Sequence, residues 1–518
     1  MQKIKQVFRK YPLHPLFAGL FPVIALSAAN IDNTPLSYVV TPVLVSLVGA
    51  MLLWSVLYIV TRRYYAAALS TSWFTLLFFS YGHVFELTNQ ALRHRYLLAA
   101  WGILLLGGVV ISYHISKKSE RKILYIANII TATLFILPLG QIVVYESQTF
   151  IRQEPRADHL TAIDYGKVTP PAILPDIYYI IVDGHASEWA YRDFFKTDIS
   201  EFTSFLKEHN FYTVPKSTTN YPRTIYSLPS SFNMDYLDTL AGSSSQEAIN
   251  AATLELVENN RLISFMNDQG YRTIFVGSAA NLTVNNRYAD ENINYLPFGS
   301  EFGEMLFQTT VLKPISEKID FFDVRKAQWK RINYEMDELG NIASRPEPTF
   351  TLAHLATPHY PHVFDIDGTY VPLQLETERG LSDSYVRQTK YLHVQLENLI
   401  GTILKESTVP PIIVIHSDHG SGMTGDTRIF DSYRKERQNY YITERMRNFM
   451  TLYLPGVPDS RIPKDLSSVN IFRIVLNEYF GTNLKILPNR NIFNRDGTPG
   501  FVDVTNIVSS GMKLDGVK

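Results

Sequence analysis

The chain has two textures of hydrophobicity. In its first third the apolar residues run on with little interruption, in stretches at 16–31, 38–60, 65–85, 96–114 and 123–145. Most of these approach the ~20 residues that a helix needs to cross ~30 Å of hydrocarbon. The pattern predicts five membrane-spanning helices over 1–145. The first stretch is short and holds Pro22, and with its basic start and the small-residue run "ALSAAN" it also has the form of a cleaved signal peptide. Four further stretches favour an uncleaved anchor.

Beyond a polar, proline-containing stretch at 146–175, which reads as a linker, the texture changes. Short apolar runs at 176–183, 271–277, 349–355, 411–418 and 449–455 alternate with helical periodicity at 200–209, 251–268, 384–406 and 467–479. Brief unbroken apolar runs bounded by turn residues suit strands buried on both faces. Their alternation with helices implies parallel pairing. The expected fold is therefore an N-terminal five-helix transmembrane bundle, then an α/β sandwich over 176–518 with a mostly parallel central sheet. No internal repeat or low-complexity tract interrupts it.

Charge adds a direction. Residues 1–145 hold twelve Lys/Arg against three Asp/Glu, whereas the rest holds 36 against 46. Lys3, Lys5, Arg9 and Lys10 precede the first span, Arg62 and Arg63 separate the second from the third, and "SKKSERK" separates the fourth from the fifth. Basic residues collect on the cytoplasmic side. An odd number of spans then places residue 146 onward outside the cytoplasm. The spans contain almost no ionisable groups, which argues against a transporter or proton relay. A total charge of −1 gives no case for nucleic-acid binding. The chain has no cysteine, so disulfides, thiolate catalysis and Cys-ligated metals are excluded.

Ligands of open α/β sheets bind at the carboxyl ends of the strands. Two of the expected strands end in metal-ligand chemistry, one in Asp183 and the other in Asp418 followed by His419. Two carboxylates and an imidazole form an oxygen and nitrogen set suited to one Mn²⁺, Zn²⁺ or Mg²⁺ ion. Each piece also has a plainer role. Asp-Gly after a strand is a common turn, Thr224 at the start of a helical run is a natural cap, and the histidines of "HLATPHYPHVF" suit a surface loop. His393 and His416 fall on structural elements.

Taken in order, "PDIYYIIVDG", "STTNYPRTIYSLPSSFNM", "HLATPHYP" and "VIHSDHGSG" resemble the sulfatase-like branch of the alkaline phosphatase superfamily. With the five-span anchor, the chain is similar to bacterial lipoteichoic acid synthases and lipid A phosphoethanolamine transferases. The resemblance implies that Asp183, Thr224, Asp418 and His419 bind one divalent metal, with Thr224 as nucleophile. His359 would contact the transferred group or assist its leaving group, with His354 and His362 as companions. Arg223 and Lys216 are candidates to share the substrate's charge, although Arg223 also suits a solvated surface. Those transferases commonly carry glutamate where this chain has Asp183.

The function so implied is transfer of a phospholipid-headgroup phosphate, of phosphoglycerol or phosphoethanolamine type, through a phospho-threonine to an envelope glycan or lipid. The implied setting is the outer face of a bacterial inner membrane, with a phosphatidylglycerol- or phosphatidylethanolamine-class donor. A phosphodiesterase using water is the alternative. Sulfate-ester hydrolysis fits poorly, because the C/S-x-P-x-R pattern that matures to formylglycine is not met around Thr224. A non-catalytic glycan-binding module is a third reading. The sharpest expectation is geometric: the four residues should converge at the carboxyl edge of the sheet.

Overall fold

The computed structural model describes residues 2–31, 36–88, 92–115, 117–151, 160, 162–242, 246–297, 299–316, 323–425, 427–494 and 500–510. Part of the expected linker (152–159 and 161) lies outside them. The chain divides into two compact units. One comprises Met1–Glu154 and Leu296–Val324, the other Pro155–Tyr295 and Arg325–Lys518.

In the first unit a short α1 (Gln2–Lys10) is followed by α2 (His14–Ala29), α3 (Ser37–Thr61), α4 (Tyr64–Leu87), α5 (His94–His114) and α6 (Lys117–Ile151). The last five overlie the five apolar stretches. Among the described residues, the segments Tyr38–Thr61, His94–His114 and Ser119–Ser147 are long and apolar enough to cross a membrane, and His14–Ala29 is apolar but shorter. α4 is of a different kind. It buries Ala66, Ala67, Ala68, Ser70, Thr71, Ser72 and Thr75, the small residues that let helices approach closely without a hydrophobic driving force. Asn128 of α6 ties the bundle together: its Oδ1 accepts from the amides of Leu13 and His14, and its Nδ2 donates to Phe8 and Tyr11 carbonyls.

Residues 296–324 leave the second sequence block to join this unit. Their helix Glu301–Thr309 starts at Ser300, whose Oγ accepts from Gly303 N at 3.1 Å. Phe302 is fully buried with Val23 and Val39. The helix end lies so near α4 that a Cβ on Gly82 would collide with Gln308 O. Val311 N donates to Phe78 O at 2.9 Å.

A seven-stranded sheet forms the second unit: β1 (Ile177–Val182), β2 (Tyr212–Thr213), β3 (Arg272–Val276), β4 (Glu291–Ile293), β5 (Thr349–Leu355), β6 (Ile412–His416) and β7 (Met450–Tyr453). Their order is β2-β7-β6-β1-β5-β3-β4. The five strands from β6 to β4 are parallel, while β7 runs antiparallel to β6, and β2 antiparallel to β7. β1 is central. Its Ile177, Tyr179 and Ile181 enter the core on one face and Tyr178, Ile180 and Val182 the core on the other. Being covered on both sides removes any polar alternation from its sequence.

That strand order positions the chemistry. β1 pairs with β6 on one side, Ile181 opposite His416, and with β5 on the other, Val182 opposite Leu355. The stretches ending in Asp183, Asp418–His419 and His354–His359 are thus the carboxyl ends of three adjacent strands, 235 residues apart at the extremes of 183 and 418 but neighbours in space. At the C-terminus, Ile492–Phe493 and Val502–Asp503 pair as a two-stranded ladder before the short helix Thr505–Ser509.

Candidate active site

Asp183 follows β1 directly and is buried, 7% exposed. Asp418 and His419, 0% and 1% exposed, follow β6. Asp418 locks the two strand ends together, because its Oδ1 accepts from Gly184 N at 3.1 Å. Ser417 does the same through Oγ, which accepts from His185 N (2.8 Å) and donates to His419 O (2.6 Å). Ligand atoms of Asp183, Asp418 and His419 all lie within 4.8 Å of one another.

Thr224 is brought in by the helix Thr224–Asn233. Arg223, in extended conformation, holds the cap position, so Thr224 is the first helical residue and its hydroxyl caps nothing. Instead Thr224 Oγ1 donates to Asp418 Oδ2 at 2.7 Å and lies 3.2 Å from His419 Nε2. One turn later Ser227 Oγ donates to Asp418 O at 2.7 Å, which pins the start of the helix to the β6 end.

Everything converges on His419 Nε2. Its Nδ1 faces Gly420 O at 3.0 Å and so carries the ring proton, which leaves the Nε2 lone pair free for the site. Around that nitrogen stand Thr224 Oγ1 at 3.2 Å, Asp418 Oδ2 at 3.3 Å and Asp183 Oδ1 at 3.5 Å. Ligands bound tetrahedrally at ~2.0–2.1 Å stand ~3.3 Å apart, and the three distances from His419 Nε2 match that spacing. Asp183 Oδ1 is buried and has no hydrogen-bond partner. A buried carboxylate oxygen left so is costly, and a cation is the partner its chemistry suits. The residues fit a divalent metal.

The electrostatics agree. Burial, with the negative charge of Asp183 added, pushes Asp418 up to about 7. Burial would raise Asp183 too, but His359, His354 and His419 outweigh it and hold it below the usual carboxylate range. Burial and then the neighbouring Arg445 hold His419 well below an ordinary imidazole, in the neutral form a metal requires.

The remaining candidates fall into distinct places. His359 is exposed at the mouth, its amide bonded to Asp183 O (3.0 Å) and its ring centroid 6.3 Å from that of His419. His354 is fully buried behind Asp183, with Nε2 3.6 Å from Asp183 Oδ2 and Nδ1 2.8 Å from Thr283 Oγ1. It orients the carboxylate and offers no face to a substrate. His362 is not brought to the cluster: buried, it gives Nδ1 to Glu376 Oε1 at 2.7 Å, and Arg325 binds the other oxygen of Glu376 at 2.9 Å. Lys216 is exposed in a turn, where its amide bonds to Lys464 O. Arg223 is half-buried, its guanidinium 5.7 Å from the Tyr226 ring centre. His416 and His393 serve the interior, bonded to Tyr179 OH and to His185 Nε2.

Two residues escape the sequence reading. Glu444 is buried and accepts from Ser421 Oγ, Gly422 N and Thr424 Oγ1, fastening the loop after His419. Arg445 donates to Pro222 O and Gly420 O and reaches His419 Nε2 at 3.2 Å. Both sit on the helix Lys435–Met446, where alternating charges read as a solvated face.

A mostly parallel α/β sheet with two carboxylates and an imidazole at its central strand ends, met there by a hydroxyl from the start of a helix, belongs to a metal-dependent enzyme of the alkaline phosphatase superfamily. The Sulfatase family model matches residues 175–476, and the chain belongs to that family. No curated protein matches the chain. Among solved structures, it is similar to the C-terminal periplasmic domain of EptC from Escherichia coli in complex with zinc (11% identity, 66% of this chain and 96% of that one, TM-score 0.44). It is also similar to the integral membrane lipooligosaccharide phosphoethanolamine transferase EptA from Neisseria meningitidis (13%, 90% and 94%, 0.35). A third is the lipoteichoic acid synthase LtaP from Listeria monocytogenes (13%, 62% and 75%, 0.37). Identities of 11–13% and TM-scores below 0.5 make all three distant.

Proposed function

We propose that the chain is a membrane-anchored phosphotransferase that moves a phospholipid-headgroup phosphate through Thr224 to an envelope glycan or lipid acceptor, on the outer face of the cytoplasmic membrane. One observation carries this reading: the hydroxyl among the three metal-ligand candidates belongs to a threonine, 2.7 Å from Asp418 Oδ2 and 3.2 Å from His419 Nε2. Formylglycine, the sulfatase nucleophile, comes from cysteine or serine. This chain has no cysteine, and threonine stands at the position in question. Sulfate-ester cleavage is disfavoured accordingly.

Asp183, Asp418, His419 and Thr224 would hold one divalent ion. Bound there, it would supply Lewis-acid chemistry of the kind that brings the pKa of water from about 15.7 to about 7. The chain's own residues do the rest. Thr224 Oγ1 attacks phosphorus in line; the new P–O bond forms as the bond to the leaving alcohol breaks. Asp418 Oδ2 accepts the hydrogen bond of the hydroxyl and so aims its oxygen at the site, while the hydroxyl proton is lost to solvent, both aspartates being given to the cation. His359 donates Nδ1–H to Tyr360 O at 2.8 Å, so it is Nε2 of the imidazolium form that would give a proton to the leaving oxygen. The acceptor hydroxyl then attacks the phospho-threonine and returns its proton to His359 as the bond from phosphorus to Thr224 Oγ1 breaks, and Thr224 recovers its proton from solvent. The first peptide units of the helix Thr224–Asn233 add a positive end that favours the anion.

The donor class follows the likeness of the four motifs, and tethering to membrane helices raises the local concentration of any lipid donor. The full chain incubated with labelled phosphatidylglycerol or phosphatidylethanolamine and Mn²⁺ should acquire a headgroup-phosphate adduct on the peptide holding Thr224, read by mass spectrometry. Lipid cleavage with Thr224 always unmodified, in a variant-insensitive way, would sink the reading. Free headgroup phosphate in place of a modified acceptor would make water the acceptor.

A further inference from the structure

Arg445 makes three contacts with its three guanidinium nitrogens. Nε donates to Pro222 O at 2.7 Å, two residues before the candidate nucleophile. Nη1 donates to Gly420 O at 2.8 Å, one residue after His419. Those two bonds clamp the nucleophile loop to the metal-ligand loop. The third nitrogen, Nη2, is 3.2 Å from His419 Nε2 and so points into the cluster itself. Room is reserved for this arrangement: a Cβ on Gly422, at φ +72°, would stand 2.8 Å from Nη1.

None of the three partners is a carboxylate. The loop carbonyls hold the charge in one orientation, and the neighbouring acid, Glu444, feels it electrostatically but spends its oxygens on Ser421, Gly422 and Thr424. The lone pair of His419 Nε2 is the one a metal ligand must give, so Nη2 cannot keep that partner when a cation is held. Charge summation then points one way. Asp183 and Asp418 together match a divalent cation, and Arg445 sets its positive charge beside the atom where a hydroxyl would attack. A phosphodiester carries one negative charge.

We infer that Arg445 is an anion-binding residue of the substrate site, with Nη2 donating to a non-bridging oxygen of the phosphate group while Nε and Nη1 hold the two loops. The inference rests on the function proposed above and adds a residue to it. Planarity explains the choice of arginine: a fork of five fixed donors can clamp two carbonyls and still present one N–H to a phosphate, whereas a lysine ammonium cannot span all three.

The test uses inorganic phosphate as probe and the full chain in detergent micelles, loaded with Mn²⁺. Calorimetry would compare the unaltered chain with R445Q, which keeps an amide donor for one carbonyl, and with R445K. A charge-assisted hydrogen bond to a phosphate oxygen predicts that R445Q binds phosphate about ten- to a hundredfold more weakly, with R445K between. Mn²⁺ affinity, titrated separately on the metal-free chain, should stay the same or tighten, since a positive neighbour is removed. Unchanged phosphate affinity in R445Q overturns the inference, as does a fall in Mn²⁺ affinity equal to the fall in phosphate affinity, which would make Arg445 a loop clamp alone. Should R445Q melt early, R445K carries the same comparison. The Thr224 adduct is read independently. An adduct with arginine-independent phosphate affinity sinks this inference alone, and arginine-dependent phosphate binding without any adduct sinks the transferase reading alone. No phosphate binding by the unaltered, metal-loaded chain sinks both.

Discussion

α3 and β1 are equally apolar and meet opposite fates. In β1 all six residues from Ile177 to Val182 are 0% exposed. In α3, Leu44, Val45, Leu52 and Val60 are 56%, 66%, 62% and 73% exposed. The difference is one of solvent. A strand must hide both faces inside protein, because its water-exposed alternative is costly, while a membrane helix satisfies its backbone internally and leaves its side chains to lipid. The polar residues invert with them. The first unit buries Thr71, Thr75 and Asn128, polar groups bonded to nearby backbone or helix ends. In the second unit ionisable groups themselves are buried, at Asp183, Asp418 and Glu335. Lipid rewards uniformity, whereas a packed sheet edge can isolate a few ionisable groups and make their chemistry specific.

The comparison breaks first at the site. Thr224→Ala should remove the lipid-derived adduct and lower turnover at least a thousandfold, with Thr224→Ser keeping part of it and thermal melting nearly unchanged; a T224A chain that still transferred phosphate would remove the nucleophile from the account. Next in size is the solvent test. Lysine at position 180 (I180K) places a charge where nothing can solvate it and should abolish folding of the second unit. At position 45 (V45K) it faces lipid, with an insertion penalty of about 2.5–3.5 kcal/mol if near the bilayer centre. Protease resistance of the second unit should be lost in the first and kept in the second.

A smaller effect is expected from chelation. Divalent ion binding to the folded chain with excess ligand stabilises by about 3–4 kcal/mol at 100–1,000 times Kd. Adding Mn²⁺ to chelator-treated protein should therefore raise the melting temperature by several degrees, and D183N should erase that rise. The smallest concerns Glu335, buried on the helix Val324–Ile342 with neither carboxylate oxygen bonded. Burial raises its pKa well above the usual carboxylate value, only partly offset by Arg331. A raised folded-state pKa means the stabilising contribution is intact below the unfolded value and fades as pH climbs through the folded one. E335Q should therefore match the parent near pH 4 and be more stable at pH 8, by on the order of 1–3 kcal/mol. Equal urea midpoints at pH 8 would show that Glu335 is solvated or paired.

The linear chain was most readable where one physical requirement acts on consecutive residues. Unbroken apolar runs declared the lipid-facing helices and the doubly covered strands, since each residue there meets the same surroundings as its neighbour. Asp183, Asp418 and His419 were visible as polar residues closing apolar strands. Arg445 was not, because its partners Pro222, Gly420 and His419 come from two other loops, and its own surroundings, "TERMRN", look like a wet helix end. His354 and His362 stand eight residues apart but part in space, one on β5 behind Asp183 and one in the following loop against Glu376. Nor does anything in 296–324 announce that it leaves the sheet domain for the helical unit.

Local composition was enough to mark apolar N-terminal helices, α/β alternation and the chemical type of the candidate ligands, because burial and hydration act residue by residue. Folding had to decide that β1 stands between β5 and β6, and hence which oxygens and nitrogens face one another. Strand order depends on crossovers spanning hundreds of residues, and no local pattern encodes a distance between atoms that remote.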